Sequence, residues 1–173
     1  SLHLVGKDIV RFHTVYWPAF LMSAGLPVPK QVFGHGFLLN RGQKESKSLG
    51  NVTDPLELAE RFGVDNLRYF LMREVPFGQD GNYSREAIVQ RINADLANDL
   101  GNLAQRSLSM IAKNCDGRVP KPGTLLIDDT GLLGKVDVLI QSVTNHIDSF
   151  SISSALEEIW AAIADANRYF AKQ

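Results

Sequence analysis

A short basic segment carries the clearest chemical signal in this sequence. Residues 44–48 read Lys-Glu-Ser-Lys-Ser between Gly42 and Gly50, directly after an apolar run over 32–39 that is typical of a β-strand. A lysine ammonium is a compact charge on a flexible stem, which suits a phosphate whose charge changes during a reaction. Glycines on either side let the backbone approach a ligand closely. We interpret the segment as a phosphate-binding loop, with a solvated basic turn as an equally good interpretation of so short a motif.

A second candidate site follows the first predicted strand, Leu2 to Val5, where the sequence continues Gly6-Lys7-Asp8. Ligands of α/β sheets bind at the carboxyl ends of the strands, and this tripeptide occupies such an end. Gly6 would allow close approach, and the Asp8 carboxylate could accept two hydrogen bonds from a ribose diol. Asp8 as the N-cap of the following helix is an interpretation at least as good.

An aromatic ring and an imidazole lie side by side one helical turn further on. Phe12 and His13 could together line a small apolar pocket. For an isolated pair, however, the pattern favours a buried Phe12 and a His13 that is either on the surface or hydrogen-bonded in the core.

Three polar residues form a stripe on a long predicted helix. Asn98, Asn102 and Arg106 follow one another at steps of four residues. Each step turns about 40° past a full circle in an α-helix, so the three side chains project from one face. An amide matches the edge of a base, and a guanidinium can bond to it or stack on it. Because asparagine costs a helix roughly half a kcal/mol relative to alanine, a base-binding face is slightly favoured over an ordinary solvated one.

The composition excludes several classes of protein. The chain has 173 residues, 45% hydrophobic and 21% charged, with a formal net charge of -1. This balance gives no global basic field, so DNA is not an expected partner and any polyanion site must be local. A single cysteine, Cys115, excludes an internal disulfide and a cysteine-based zinc site in this chain and suits a reducing, cytoplasmic location. No apolar run reaches the roughly 18 residues that a membrane span needs, and no metal-ligand cluster stands out.

The first half of the chain is predicted to be mixed β/α. After the first strand we expect a helix over 8–24 with a possible kink at Pro18, then the strand over 32–39. Asp54 and Pro55 are typical of a helix start, and Gly63 ends that helix. A further helix over about 65–74 and a loop over 77–82 complete this half.

The second half is predicted to be entirely helical. Ser84 is a plausible N-cap for a helix that continues to about residue 114. A loop rich in proline and glycine over 117–131 precedes two amphipathic helices, about 132–149 and 152–172, and Trp160 has core spacing on the last of them. The predicted fold is an α/β portion over 1–82 followed by an all-α bundle over 83–173, mainly α overall.

Together these segments resemble the methionyl-tRNA synthetase family of class I aminoacyl-tRNA synthetases over essentially the whole chain. Residues 6–13, with the following Trp17-Pro18, are similar to a late segment of the family's catalytic domain, and residues 44–48 are similar to its KMSKS signature. The remaining similarities are the stem-contact region at 65–70 and 77–81, and the first helix of the anticodon-binding bundle at 93–98 and 101–103.

The resemblance implies a part of a methionine–tRNA ligase that uses ATP with its associated Mg²⁺, methionine and tRNA(Met), with no zinc ligands in this chain. It implies an ATP site, a methionine pocket and an anticodon-binding face. The residues it implies are Lys44 and Lys47 for catalysis; Gly6, Asp8, Lys47 and Ser48 for ATP; Phe12 and His13 for methionine; and Asn98, Asn102 and Arg106 for the anticodon.

Three features depart from the family pattern. Glu45 stands where the signature has methionine, and an acid beside the lysines is expected to weaken the attraction for ATP. The HIGH signature and the first half of the nucleotide-binding fold are not in this sequence, so we expect an internal piece of a larger enzyme that does not activate methionine alone. The sequence also stops before the family's Pro-Trp pair, and Trp160 is not that tryptophan.

The residues leave three alternatives open. One is a stand-alone helical module that binds tRNA or another RNA, and another is a structural helical interaction domain with a basic surface loop. The third is a class I synthetase of the isoleucine or valine type, against which the segments at 77–81 and 93–103 argue.

Overall fold

Two small sheets precede a mainly helical remainder in the computed structural model, which describes residues 1–45 and 52–172. The strands are β1 (Leu2–Gly6), β2 (Gln31–His35), β3 (Leu38–Asn40), β4 (Gln43–Lys44) and β5 (Gly81–Tyr83). The α-helices are α1 (Trp17–Ser23), α2 (Pro55–Phe62), α3 (Val64–Glu74), α4 (Arg85–Arg91), α5 (Asn102–Asn114), α6 (Ile127–Asp148) and α7 (Ile152–Lys172). A 3₁₀ turn (Lys7–Ile9) and two π-helical segments (Phe12–Tyr16 and Ile92–Gly101) complete the order, and the predicted mainly α fold class is confirmed.

The predicted strand over 32–39 is wrong in extent, because the chain bends at Gly36 and joins two different sheets. β1 and β2 pair in parallel in one sheet, while β3 lies between β4 and β5 in the other. A Cβ at Gly36 would come 2.1 Å from the carbonyl oxygen of Gln79, so only glycine allows the two backbones to pass there. The predicted loop over 77–82 is also wrong at its end, since β5 begins at Gly81 and pairs with β3.

The starts of two helices follow the capping rules. Asp54 accepts a hydrogen bond from the backbone N–H of Leu56 at 2.8 Å, and Gly63 ends α2 with φ of 85°. Ser84 accepts one from the backbone N–H of Ala87 at 3.1 Å. Both predicted N-caps are confirmed by these contacts.

The long helix over 85–114 has the predicted length but not uniform geometry, because its centre at Ile92–Gly101 is π-helical. A π-helical turn changes the backbone hydrogen-bond pattern to i→i+5 and leaves carbonyls that need other partners. Asn167 of α7 donates its side-chain amide to the carbonyl oxygen of Asp99 at 3.1 Å. The last helix therefore supports the irregular centre of this one.

Helix α6 begins at Ile127, inside the region predicted to be a loop over 117–131. Asp129 accepts a hydrogen bond from the backbone N–H of Leu126 at 2.6 Å and so caps the helix earlier than expected. The predicted later start is wrong, because Gly131 and Gly134 lie within the helix and not in a loop. Packing of α6 against α7 outweighs the low helix propensity of these glycines.

A small core connects the two predicted halves. Its buried residues come from α2, α3, β5 and α4, and they are Leu58, Leu67, Phe70, Tyr83 and Ile88. The chain thus packs continuously from the first helices into the long one. None of the helices within residues 1–45 and 52–172 combines the length and hydrophobicity needed to cross a membrane.

We expect Phe70→Ala to lower the free energy of unfolding of this chain by about 3–5 kcal/mol, because the ring is 0% exposed and its loss leaves a cavity. Phe20→Ala removes the same atoms from a ring that is 66% exposed and serves as the matched control. Urea unfolding followed by circular dichroism measures both. Equal losses in the two variants would contradict the assignment of this core.

Candidate functional site

The candidate nucleotide edge lies where β1 and β2 end side by side. Gly6 pairs with His35 in the parallel register, so both strands deliver their last residues to one edge of the sheet. Gly6 leads directly into the 3₁₀ turn, and a Cβ on it would lie 2.7 Å from Oδ1 of Asp8. The N-cap of this turn is Gly6, so the interpretation of Asp8 as the N-cap is wrong. The Asp8 side chain is exposed at this edge, where a polar ligand can reach it.

Two ammonium groups approach the ring of Phe37 beside this edge. The Nζ atom of Lys7 lies 4.7 Å from the ring centroid, and that of Lys44 lies 3.9 Å from it. A cation over an aromatic face is attracted by the ring quadrupole. Lys44 therefore shares an aromatic ring with Lys7, which lies between Gly6 and Asp8 at the end of β1.

Asp80 holds this cluster together. The Nζ atom of Lys7 donates to both carboxylate oxygens of Asp80, at 2.6 and 2.7 Å, and the backbone N–H of Phe37 donates to Oδ1 at 2.8 Å. These contacts, first that of Lys7 and then that of Phe37, lower the pKa of Asp80 below its ordinary value. The loop before β5 is thereby fixed against the first sheet.

The basic segment is only partly described. Lys44 is the last residue of β4, whereas the predicted site residues Lys47 and Ser48 lie outside the described residues. Glu45 directs its carboxylate to two donors, the backbone N–H of Thr53 at 3.1 Å and the hydroxyl of Tyr83. Burial raises the pKa of Glu45, but these hydrogen bonds lower it by more, so the carboxyl stays ionised below its ordinary titration range.

Phe12 and His13 lie in the π-helical turn that precedes α1. Phe12 is exposed and its ring centroid lies 5.6 Å from that of Tyr16, so the interpretation of Phe12 as a core residue is wrong. Nδ1 of His13 lies 2.9 Å from the carbonyl oxygen of Ile9, a contact that requires a proton on Nδ1. The two residues are thus presented together on one turn with Phe12 outermost.

The predicted polar stripe is exposed along its whole length. Asn98 lies in the π-helical segment, Asn102 begins α5, and the Arg106 guanidinium lies 4.5 Å from the centroid of the Phe170 ring on α7. The contact with Phe170 holds the arginine in place while its fork still faces solvent. Because the π-helical turn is wider, Asn98 is offset from the regular α-helical stripe.

A buried acidic residue in the π-helical segment of this helix was not predicted as a site residue. Asp95 is 6% exposed, and its Oδ2 accepts a hydrogen bond from the Tyr69 hydroxyl at 2.5 Å. Arg91 contacts the other carboxylate oxygen at 3.4 Å, and the ring of Trp160 packs against Tyr69 with centroids 4.8 Å apart. Burial, together with the Asp95 carboxylate, raises the pKa of Tyr69 well above its ordinary value. This cluster connects α3, the π-helical segment and α7, and Trp160 acts there as a packing residue.

The sequence also missed Lys7, Phe37 and Asp80 as members of the nucleotide edge. Lys7 and Asp80 are separated by 73 positions in the chain, so no local pattern could bring them together. One indirect signal for Lys7 was its position between the candidate residues Gly6 and Asp8. Within residues 1–45 and 52–172, no group of three or more His, Cys, Asp or Glu side chains is arranged to hold a metal ion.

We expect the carboxyl of Asp80 to titrate below 3.8, the ordinary aspartate value, in the folded protein. A lowered pKa means that the stabilisation is complete above the ordinary value and is lost as the pH falls through the folded one. Side-chain carboxyl NMR over a pH series measures it. Lys7→Met should move the titration back up towards the ordinary value, and Lys30→Met, which removes an exposed lysine elsewhere, should not. An Asp80 pKa that is the same in Lys7→Met as in the wild-type chain would contradict this geometry.

Comparison with known proteins identifies the family. The family described as tRNA synthetases class I (M) matches residues 1–108. The methionine–tRNA ligase of Brucella suis is 66% identical over 173 residues, which is 100% of this chain and 34% of that protein. The corresponding ligase of Mycobacterium tuberculosis is 63% identical over 100% of this chain and 33% of its own length. The chain therefore spans about a third of the length of the curated relatives it matches.

Solved structures agree with these matches. The M. tuberculosis methionyl-tRNA synthetase bound by methionyl-adenylate superimposes with a TM-score of 0.94 at 62% identity, covering 99% of this chain and 34% of that one. Its free form gives a TM-score of 0.89 at 60% identity, covering 99% and 33%. These matches name the methionine enzymes, which the motifs favour over those for isoleucine and valine. On this evidence of sequence and fold, the chain belongs to the class I tRNA synthetase (M) family.

Proposed function

We propose that the protein carrying this chain is a methionine–tRNA ligase, and that this chain supplies part of its ATP site and its anticodon-binding face. The observation that carries the proposal is that Lys7, which lies between Gly6 and Asp8 at the end of β1, and Lys44 both place their ammonium groups over the ring of Phe37. Relatives matched over the whole chain bear the name methionine–tRNA ligase, and one solved relative holds methionyl-adenylate.

ATP would bind across the ends of β1 and β2. Because Gly6 has no Cβ, the Asp8 carboxylate can fold back beside it, and the ribose hydroxyls would donate to this exposed carboxylate. Lys44, together with Lys47 and Ser48 of the same segment, would contact the phosphates. The lysine charges would stabilise the negative charge that develops on pyrophosphate as it leaves.

Methionine would bind next to the turn that carries Phe12 and His13. Phe12 offers an exposed aromatic face, against which a thioether sulfur makes a favourable contact. The methionine carboxylate would attack the α-phosphate of ATP, forming methionyl-adenylate and releasing pyrophosphate. A hydroxyl at the 3′ end of tRNA(Met) would then attack the carbonyl carbon and release AMP. Catalysis in the first step would be positional and electrostatic.

Mg²⁺ would enter this reaction together with ATP. The described residues offer no cluster of three ligands for an ion of their own, which suits a cation held largely by the phosphates and water.

The anticodon would bind along the exposed face of Asn102 and Arg106, with the exposed Asn98 offset beside it. Unpaired bases expose their hydrogen-bonding edges, which amides match, and their flat faces, on which a guanidinium stacks. Phe170 holds the Arg106 guanidinium in a fixed position, so less side-chain freedom is lost when a base binds.

We expect Lys47→Ala to lower the rate of methionine-dependent ATP–pyrophosphate exchange by about 10²–10³-fold and Lys44→Ala by less, because each removes charge stabilisation from the transition state. The assay uses the longer protein that has the length of the relatives. Lys30→Ala, at an exposed lysine away from the cluster, is the control. Exchange that is unchanged in Lys47→Ala would contradict the proposed ATP site.

We expect Arg106→Ala and Asn102→Ala each to weaken the binding of tRNA(Met) by about tenfold, which corresponds to the loss of one base contact of 1–3 kcal/mol. Gln105→Ala changes an exposed neighbour on another side of the same helix and is the control. Dissociation constants measured at one fixed salt concentration give the comparison. Equal constants for all three variants would place the anticodon elsewhere.

A further inference from the structure

Glu45 connects the part of the chain up to residue 45 with the part from residue 52 onwards. It directly precedes residue 46, and its Oε1 accepts a hydrogen bond from the backbone N–H of Thr53, which lies just beyond residue 51, at 3.1 Å. The hydroxyl of Tyr83 contacts both the Glu45 carboxylate and the Thr53 hydroxyl. Asn40 donates its side-chain amide to Oγ1 of Thr53 at 3.4 Å. Glu45 and Thr53 are therefore joined to each other and to strands β3 and β5.

Tyr83 is a fixed donor in this arrangement. Its residue is 4% exposed, and its ring belongs to the core with Leu58, Phe70 and Ile88. Burial, and then the Glu45 carboxylate, raise the pKa of Tyr83, so its hydroxyl keeps its proton at neutral pH. A donor on a packed ring loses little freedom when it makes a hydrogen bond.

The hydroxyl protons of Tyr83 and Thr53 are sufficient to satisfy an ionised Glu45 carboxylate. Tyr83 has one hydroxyl proton, and giving it to the Glu45 carboxylate leaves the Thr53 hydroxyl to donate to the Tyr83 oxygen. A charge-assisted hydrogen bond of this kind is about twice as strong as a neutral one. Methionine, the residue of the family signature, has only a weak sulfur acceptor and could not replace these contacts.

The acid and the lysine next to it point to different partners. Lys44 places its ammonium 3.9 Å from the centroid of the Phe37 ring, whereas Glu45 places its carboxylate on Thr53 and Tyr83. The expected weakening of ATP binding assumes an acid directed towards the phosphates. Because the Glu45 carboxylate is directed to Thr53 and Tyr83, its role in the site is different from repulsion of the phosphates.

We propose that Glu45 is a positioning residue for Lys44: its carboxylate, held by Thr53 and Tyr83, fixes the end of β4 from which the Lys44 ammonium reaches the nucleotide. The role rests on the proposed function. A fixed backbone beside Lys44 reduces the conformational entropy that is lost on binding, and a well-placed charge gains more in the transition state. Glu45 itself does not touch ATP in this account.

The connection can be measured without any nucleotide. Glu45→Met and Tyr83→Phe should each lower the urea midpoint of this chain. The double variant should have a midpoint no lower than that of the less stable single variant, because both substitutions remove the same interaction. Tyr83→Phe keeps the packed ring and so preserves the core. Glu60→Gln, at an exposed acid on α2, is the control for removing a negative charge. Additive losses, or none, would overturn the connection.

The positioning role is tested by ATP–pyrophosphate exchange in the longer protein. Glu45→Met and Tyr83→Phe should lower kcat/KM for ATP by about three- to tenfold, the value of one hydrogen bond, while KM for methionine stays unchanged. Glu45→Gln keeps an acceptor oxygen and should lose less than Glu45→Met. An ATP kcat/KM that rises in Glu45→Met, or that matches Glu60→Gln, would overturn the role.

The two measurements separate the two proposals. A wild-type protein that shows no exchange would overturn both the ligase function and the positioning role, whereas the urea cycle would still report whether Glu45 joins the two chain segments. Exchange that is normal in Glu45→Met, combined with a lower urea midpoint, would make Glu45 a purely structural residue.

Discussion

The carboxylate of Asp80 holds together the parts of the chain on which the candidate nucleotide site depends. It receives the ammonium of Lys7 at the end of β1 and the backbone N–H of Phe37 between β2 and β3. These contacts act together with the ring of Phe33 in β2, which stacks on that of Phe77 with centroids 4.5 Å apart. With them, the strand end that carries Gly6 and Asp8 and the strand that carries Lys44 meet across one aromatic ring.

Acidic side chains connect separate parts of this chain at three places. Asp80 fixes the first sheet to the loop before β5, Glu45 joins the two sides of the basic segment, and Asp95 connects α3 to the long helix. Each carboxylate accepts from donors far away in sequence, and each directs a neighbouring cation or hydroxyl. A formal net charge of -1 therefore conceals a local arrangement in which the acids position the cations.

Much of the helical structure could be predicted from the sequence, because the signals are local. The caps at Asp54 and Ser84 and the end of α2 at Gly63 follow from side-chain chemistry within a few residues. The division of the strand at Gly36 and the pairing of β5 could not be predicted in this way, since each depends on a backbone that approaches from elsewhere. The early start of α6 has a local signal, the cap at Asp129, which the glycines and prolines around it obscured. The family resemblance assigned Gly6, Asp8 and Lys44 to one ATP site, which stays a prediction, and the Asp80 and Phe37 contacts beside these residues lie outside the motifs.

We propose that the common edge of β1 and β2 is the nucleotide site. The most direct measurement is a structure of the longer protein with methionine and a non-hydrolysable ATP analogue. We predict that the ribose hydroxyls lie against the Asp8 carboxylate and that the Lys44 ammonium leaves the ring of Phe37 for the phosphates. A nucleotide bound elsewhere, with Asp8 in solvent and Lys44 still over Phe37, would contradict the account.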